Sequence, residues 1–256
     1  MNAELFDGAE LAAGYAAARP PVHEPVMTRA AVALGWTGPV GRMLDLGCGA
    51  GASSRAVSRW ATRMLGLDPV PAMVAAARDT VPDARFLVAR AEAMPIASGS
   101  IAAIVAAGSL NFVALAAVRA ESARVLRPDG VMVAYDFATG DRSSANVAVE
   151  HGYTEFSTRW PRPTEARLHI DRAVLGAHGF DVRLHDEFVV TLEMNLEAYV
   201  DYLMTETNVS VAVARGENRA AIRAWTTDVF LSAFAGPQPI DFDAWYAVGV
   251  PDGQVS

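Results

Sequence analysis

Short apolar runs and turn residues alternate along the first half of the chain. The predicted strands lie at 43–46, 63–68, 85–88 and 101–107, and apolar residues at helical spacing follow the first, second and fourth of them. Continuous apolar runs are typical of parallel strands that are covered on both faces, and strands that alternate with helices favour a parallel sheet. The pattern therefore predicts an α/β fold with a doubly wound, mostly parallel sheet.

The second half has a different pattern. Apolar and polar residues alternate over 180–185 and again over 240–243, which is typical of antiparallel strands. About 50 residues separate these segments, too many for a bare loop, and helical spacing recurs within them at 196–203 and 222–229. We interpret them as a helical cap. The predicted organisation is a single domain with an N-terminal helical segment at 1–34, a core at about 36–190 and 238–250, and a cap insertion at about 191–237.

Composition and charge restrict the classes of partner. The 256 residues include 52% hydrophobic side chains, enough for a core, and carry a net charge of −8. Acidic charge disfavours nucleic acids and anionic membrane surfaces, because both bind basic faces. The uncharged stretch 93–118 is interrupted by glycine, serine and proline, so we interpret it as buried strand, loop and helix. We therefore expect neither a nucleic-acid nor a membrane partner.

Amino acids that are rare or missing exclude several chemistries. The single cysteine, Cys48, excludes an internal disulfide and indicates a reducing compartment, so the expected location is the cytoplasm. All 21 basic residues are arginines, which excludes a lysine Schiff base and the phosphate-binding lysine of a Walker loop. The five histidines match no metal-binding spacing and Gly-x-Ser-x-Gly is missing, so we predict neither a metal site nor a serine hydrolase.

The first predicted strand ends in a turn with three glycines, Gly47, Gly49 and Gly51. Glycines permit positive φ and the close approach of a ligand, and the following helix directs its free N–H groups at the turn. The spacing fits a dinucleotide site loosely. Asp45, two residues before the first glycine, favours a different ligand, because a carboxylate at the end of a strand accepts hydrogen bonds from a cationic amino group.

Two stretches carry a family resemblance. Leu44-Asp45-Leu46-Gly47-Cys48-Gly49-Ala50-Gly51 closely resembles motif I of the class I S-adenosylmethionine-dependent methyltransferases, and Arg124-Val125-Leu126-Arg127-Pro128-Asp129-Gly130 resembles a second signature of that family. The resemblance extends over about 15–137 and is closest to the members that act on small molecules. It implies a Rossmann-like, doubly wound sheet of seven strands, mostly parallel with an antiparallel last strand. It also implies S-adenosylmethionine as the cofactor and S-adenosylhomocysteine as its product.

Further cofactor positions follow from spacing and from the resemblance. Asp68 ends the second strand about 20 residues beyond the turn, where an acid binds ribose hydroxyls, with capping of the next helix as the alternative. The segment from Tyr15 to Pro20 resembles one that lies across the cofactor, with helix packing as its alternative. Ala91-Glu92 matches an adenine-lining segment in which Arg90 replaces the usual acid. The predicted cofactor-binding residues are Tyr15, Arg19, Asp45, Gly47, Cys48, Gly49, Gly51, Asp68, Pro69, Met73, Ala91, Glu92, Ser109 and Leu110.

The remaining candidates concern the methyl acceptor. A general base is needed only for an acceptor that arrives protonated, and the candidate catalytic residues are His23, His151, Tyr153 and Asn111, each with a surface or packing role as its alternative. Because ligands of open α/β sheets bind beyond the carboxyl ends of the strands, the acceptor is expected near Asn111 and Asp136, beneath the cap. The predicted substrate residues are Asn111, Arg159, Trp160, Tyr199 and Tyr202, with Arg159 the expected contact of a carboxylate. The alternative is that the aromatic residues fill the core of the cap.

The functional hypothesis is methyl transfer from S-adenosylmethionine to a small organic acceptor. One alternative is a protein that binds this cofactor but catalyses another reaction or none. A less favoured alternative is a nicotinamide-dependent oxidoreductase, against which Asp45 and the turn at Arg127-Pro128-Asp129-Gly130 count. The run N/D-P-P-F/Y of enzymes that methylate base amines is missing after 101–107, which favours a small acceptor. The acceptor atom and the oligomeric state stay open at this point.

Overall fold

Strands and helices alternate through the first half of the chain. The computed structural model describes Gly14 and residues 17–139, 146–162 and 170–252. The strands of the first half are β1 (Arg42–Leu46), β2 (Arg63–Asp68), β3 (Arg85–Val88), β4 (Ile101–Ala107) and β5 (Leu126–Thr139). The helices are α1 (His23–Ala33), α2 (Ala52–Val57), α3 (Pro71–Thr80) and α4 (Leu115–Val125). The uncharged stretch 93–118 is thus divided among a loop, β4 and the beginning of α4.

The second half adds two long strands and a group of helices. The strands are β6 (Phe180–Met194) and β7 (Gln238–Pro251); the helices are α5 (Val147–Arg159), α6 (Arg172–Ala177), α7 (Leu196–Leu203), α8 (Thr207–Ala214) and α9 (Arg219–Phe230). Asparagine side chains at 146, 195 and 218 accept backbone N–H groups at the beginning of α5, α7 and α9, which is why these helices begin there. Helices α7 to α9 lie between β6 and β7, where the cap is predicted; the division into core and cap stays a prediction. In the described ranges no helix has the length and apolar character needed to cross a membrane.

The seven strands form one sheet in the order β3-β2-β1-β4-β5-β7-β6. Neighbours from β3 to β5 pair in parallel, whereas β7 is antiparallel to both β5 and β6. This confirms the predicted doubly wound sheet with an antiparallel last strand. The winding reverses between the central strands β1 and β4, and the carboxyl ends of strands at such a reversal are where ligands bind.

The last two strands are longer than the alternation of residues predicts. They pair from Phe180 opposite Pro251 to Met194 opposite Gln238. Helix α1 supports the β6 side of this ladder: the guanidinium of Arg29 forms an ion pair with Asp186 at 2.5 Å and lies 4.6 Å from the centre of the Phe188 ring. Contacts between segments so far apart in sequence lengthen the strands without leaving a local pattern.

Aromatic side chains join the helices after β6 to the sheet. Tyr202 of α7 lies 5.5 Å from Phe242 of β7 between ring centres, and Tyr199 lies 5.0 Å from Phe230 of α9. Both tyrosines are almost completely buried, in the same apolar cluster that covers one face of β1, β4 and β5. Burial of each such side chain contributes roughly 1.5–3 kcal/mol, so these helices are stabilised by the core of the sheet itself.

Candidate active site

The three glycines after β1 have different roles. Gly47, Gly49 and Gly51 all have positive φ, at 71°, 50° and 92°. A Cβ on Gly47 would lie 2.4 Å from the Cβ of Ser109, and a Cβ on Gly51 would lie 3.1 Å from the Cα of Ala77 in α3. A Cβ on Gly49 would meet nothing within 4 Å. Packing within the protein therefore requires the first and third glycines, whereas the middle one borders open space.

A cavity of about 190 Å³ lies beside this turn, at the carboxyl ends of the central strands. Its volume is roughly ten times that needed to hold a water molecule, so it is sized for an organic ligand. Its walls come from the glycine turn, the end of β2 with the beginning of α3, the segment 89–92, the segment 107–113 and the end of β5. Arg19 and His23 close it on the N-terminal side, and Thr207 reaches it from α8.

Asp68 holds the glycine turn against the end of β2. Its carboxylate oxygens accept hydrogen bonds from the backbone N–H groups of Gly49 at 3.0 Å and Val70 at 2.9 Å. Burial raises the pKa of Asp68, while these two hydrogen bonds act in the opposite direction. Each oxygen has a lone pair left for a second donor. The side chain therefore presents a fixed pair of acceptors to the cavity.

Asp45 lies behind the cavity wall. Its carboxylate is fully buried, and its Oδ2 accepts hydrogen bonds from the hydroxyls of Ser53 and Ser54, each at 2.6 Å. Its Oδ1 has no hydrogen-bond partner in the part of the chain that the structure describes. Burial raises the pKa of Asp45 to about 6, the two serines lower it and the nearby Asp68 raises it further. An unpaired carboxylate oxygen in the interior is costly, so this site favours a donor or a cation close by.

His23 lines the cavity as a neutral imidazole. Its Nδ1 lies 2.9 Å from the hydroxyl of the buried Tyr135. Burial lowers the pKa of His23 to about 3, and the cations Arg19 and Arg55 contribute to the decrease. Burial also raises the pKa of Tyr135 well above its usual range, so this hydroxyl keeps its proton. His23 is consequently suited to hydrogen bonding and poorly suited to removing a proton from a substrate.

Asp45 and His23 have opposite expected effects on the pH dependence of stability. Between about pH 4 and 6 Asp45 is protonated in the folded chain and ionised in the unfolded chain, so its contribution to stability falls as pH rises. Between about pH 3 and 6.5 His23 is neutral in the folded chain and protonated in the unfolded chain, so its contribution rises with pH. In the wild-type chain the two contributions largely cancel over the shared range.

Variants that remove one group at a time should expose these contributions. From about pH 4 to 6 the free energy of unfolding of Asp45→Asn should rise relative to wild type by up to about 1.4 kcal/mol per pH unit. That of His23→Gln should fall relative to wild type over the same range. Urea unfolding at several pH values measures both slopes, with the wild-type chain as the reference. Three parallel pH profiles would contradict these protonation states.

The cavity brings together many of the residues predicted to bind the cofactor. Leu110 does not line it, because this side chain is buried in the core on one face of the sheet, and Gly51 instead packs against α3. Glu92 does line it and is held by Arg90 at 3.5 Å and by the backbone N–H of Ala114 at 3.2 Å. Tyr15 lies outside the described residues. The predicted residues in the wall are Arg19, Gly47, Cys48, Gly49, Asp68, Pro69, Met73, Ala91, Glu92 and Ser109; their binding roles stay predictions.

The aromatic residues predicted to contact the substrate lie elsewhere. Trp160 packs edge-on against Trp225, with 4.9 Å between ring centres, and its Nε1 donates to Glu217 at 2.9 Å. Arg159 is exposed on the outside of this pair, 5.2 Å and 5.0 Å from the two ring centres. Tyr199 and Tyr202 are buried beneath α9 and against β7. Their packing contacts favour the alternative that these aromatic residues fill the core of the cap.

The candidate catalytic residues are widely separated. His151 is exposed and lies 3.0 Å from Glu155, and the hydroxyl of Tyr153 accepts a hydrogen bond from Arg162 at 2.9 Å. Asn111 does not line the cavity but donates to Asp136 at 3.1 Å, and Asp136 does line it.

Sequence patterns mark some of the remaining wall residues and not others. Asp136 has the signal that marks Asp45 and Asp68, a carboxylate at the carboxyl end of an apolar strand. The sequence patterns do not predict Phe137 or Thr207. For Thr207 the sequence has no signal, because its place in the wall depends on how α8 packs.

Comparison with known proteins finds similar sequences over part of the chain. Residues 44–134 match a family model described as a methyltransferase domain. Curated relatives include uncharacterized methyltransferases of Mycobacterium tuberculosis (strain H37Rv) and Mycobacterium bovis, each 33% identical over 100 residues. Each match covers 38% of this chain and 41% of the relative, so the chain spans about two fifths of the length of these relatives.

Solved structures resemble most of the chain. A protein from Anaeromyxobacter dehalogenans assigned as a type II methyltransferase has a TM-score of 0.64 and 21% identity, over 87% of this chain and 96% of that one. The YcgJ protein of Bacillus subtilis has a TM-score of 0.54 and 19% identity, over 90% and 98% of the two chains. At such identities the likeness establishes the fold and leaves the activity to be argued from the site.

Proposed function

Because residues 44–134 match a methyltransferase domain, we propose that the chain is a class I S-adenosylmethionine-dependent methyltransferase that transfers a methyl group to a small organic molecule. One observation carries the proposal: the glycine turn, Asp68 and the Ala91-Glu92 segment line the same cavity. These three stretches follow different strands and meet only in the folded chain. A cytoplasmic location belongs to the proposal and is supported by the free cysteine, Cys48.

The residues at the cavity fit this cofactor in three respects. The open space at Gly49 lets a ligand lie against the backbone of the turn. Asp68 offers two fixed carboxylate oxygens, which suit the neighbouring hydroxyls of a ribose. Behind the wall, the unpartnered Oδ1 of Asp45 favours a positive charge in the neighbouring part of the cavity, such as the ammonium group of a methionine moiety.

The residues of the chain bind the cofactor, orient the acceptor and exclude water. When bound, S-adenosylmethionine supplies an electrophilic methyl group on a sulfonium. Arg19, Asp68 and Glu92 would hold the cofactor, and the apolar side chains of Phe112 and Phe137 would keep water away from the acceptor. We assign His23 a hydrogen-bonding role and not that of a general base, because its pKa of about 3 makes it a poor proton acceptor. Positioning of the acceptor is then the main contribution of the protein to the rate.

Isothermal titration calorimetry tests the class of cofactor. We expect S-adenosylhomocysteine to bind with a micromolar dissociation constant, about −8 kcal/mol, and NAD to give no saturable heat. The acidic residues at the turn favour the ammonium group of the homocysteine moiety and disfavour the negatively charged pyrophosphate of NAD. Saturable NAD binding without S-adenosylhomocysteine binding would contradict the proposal and support the oxidoreductase alternative.

A second experiment separates methyl transfer from binding alone. The chain is incubated with S-adenosylmethionine that carries a deuterated methyl group and with a small-molecule extract, and products are followed by mass spectrometry. We expect the deuterated methyl group in a small-molecule product. Cofactor binding without any labelled product would instead favour a protein that uses this cofactor for another reaction or for none.

A further inference from the structure

The part of the cavity at the ends of β4 and β5 has one carboxylate in apolar surroundings. Phe112, Val113 and Phe137 contribute apolar surface, and Asp136, near the end of β5, lines the same cavity. Thr207 adds a hydroxyl from α8. None of these residues is assigned to the cofactor, so this region is where the methyl acceptor would bind. A molecule in it meets apolar walls and the carboxylate of Asp136.

Asp136 is held in place by neutral donors. Its Oδ2 accepts a hydrogen bond from the amide of Asn111 at 3.1 Å, and its Oδ1 accepts one from the backbone N–H of Phe137 at 2.8 Å. Gly108 makes this arrangement possible, because a Cβ there would lie 2.9 Å from Oδ1. The two donors fix the orientation of the carboxylate without adding positive charge. Each oxygen still has a lone pair for a ligand.

The other charged groups of the cavity wall balance one another in number, so Asp136 leaves the wall with a net negative charge. Asp68 and Glu92 add negative charge to the wall. Arg90 pairs with Glu92 at 3.5 Å, and Arg19 is assigned to the cofactor. A carboxylate or phosphate near Asp136 would be repelled, whereas an ammonium group would form charge-assisted hydrogen bonds, which are about twice as strong as neutral ones.

We infer that Asp136 anchors the methyl acceptor by binding an ammonium group, so that the substrate class is a small amine with an apolar body. This inference rests on the proposed function. A protonated nitrogen has no lone pair with which to attack a methyl group, so the anchored nitrogen is not the atom that is methylated. The acceptor therefore carries a second, nucleophilic group that faces the cofactor. Asn111 is a positioning residue, because it acts through Asp136.

Two probes of similar shape and opposite charge test the inference. The chain is saturated with S-adenosylhomocysteine and titrated with 2-phenylethylamine or with 3-phenylpropionate. We expect the amine to bind with a millimolar dissociation constant, about tenfold or more below that of the acid. Asp136→Asn keeps the size of the side chain and should weaken amine binding about tenfold. The control, Asp83→Asn, makes the same charge change at an exposed position outside the cavity wall and should leave the binding of both probes unchanged.

The titrations also distinguish the two levels of the hypothesis. If S-adenosylhomocysteine fails to bind the wild-type chain, the proposed function is overturned and this inference with it. If it binds but the amine does not, or the acid binds as well as the amine, only the inference is overturned. Unchanged amine binding by Asp136→Asn with intact cofactor binding also overturns it. Because the comparison of the two probes uses wild-type protein, it decides the question even where a variant fails to fold.

Discussion

Gly47→Ala should destabilise the folded chain by about 3 kcal/mol, through a combination of backbone strain and overpacking. The added Cβ would lie 2.4 Å from the Cβ of Ser109. Ser109 has little freedom to move away, because its hydroxyl donates to the carbonyl oxygen of Leu46 at 2.5 Å. The positive φ of 71° adds a further cost for any residue with a Cβ. Urea unfolding followed by circular dichroism measures the loss.

Two other glycines provide matched controls for this variant. Gly49 and Gly99 have similar positive φ, 50° and 62°, and a Cβ on either would meet nothing within 4 Å. Alanine at either position should lower the free energy of unfolding only through backbone strain, by about 1–2 kcal/mol. Gly49→Ala should in addition weaken S-adenosylhomocysteine binding, because Gly49 lines the cavity, whereas Gly99→Ala should not. Equal stability of the Gly47 and Gly99 variants would show that the turn can relax around Ser109.

Asp68→Ala should weaken S-adenosylhomocysteine binding about a hundredfold, a loss of roughly 3 kcal/mol. Two effects combine at this position. The ribose hydroxyls would lose their acceptors in a largely desolvated cavity, and the backbone N–H of Gly49 would lose the carboxylate that holds the turn to β2. Calorimetric titration measures the affinity, and the thermal stability of each variant shows whether the fold is retained.

The matched control is Asp83→Ala, which removes an exposed carboxylate outside the cavity wall and should leave the affinity unchanged. Asp68→Asn provides an intermediate case. It keeps one acceptor oxygen, so it should bind more tightly than Asp68→Ala and less tightly than the wild-type chain. Wild-type affinity in Asp68→Ala, with the fold intact, would mean that the cofactor lies elsewhere in the cavity.

The sheet could be predicted because its signals are local. Strands covered on both faces need continuous apolar runs, as at Ile101–Ala107, and a turn with positive φ needs glycine, as at Gly47. The position of Asp68 followed from spacing, because a strand, a turn and a helix have characteristic lengths. The length of β6 and β7 had no comparable signal, since their ends depend on each other and on Arg29 of α1.

The part of the cavity at the ends of β4 and β5, where we propose that the acceptor binds, could not be predicted in the same way. Trp160, Tyr199 and Tyr202 are of residue types that are common in binding pockets. In the folded chain they are buried and pack against other aromatic side chains. Aromatic residues suit both environments equally well, so sequence alone does not distinguish them. Thr207 reaches the cavity only because of the way α8 packs.

The sequence by itself determined the α/β sheet, the glycine turn and the carboxylates at the ends of strands, because each depends on residues close together in the chain. Only the tertiary structure decided the environment of those groups. Ser53 and Ser54 occupy one oxygen of Asp45 and leave the other without a described partner. Tyr135 holds His23 from 112 positions away, in a half-buried site where the imidazole stays neutral. Charge and protonation depend on desolvation and on neighbours in space, and these are set by the packing of distant segments.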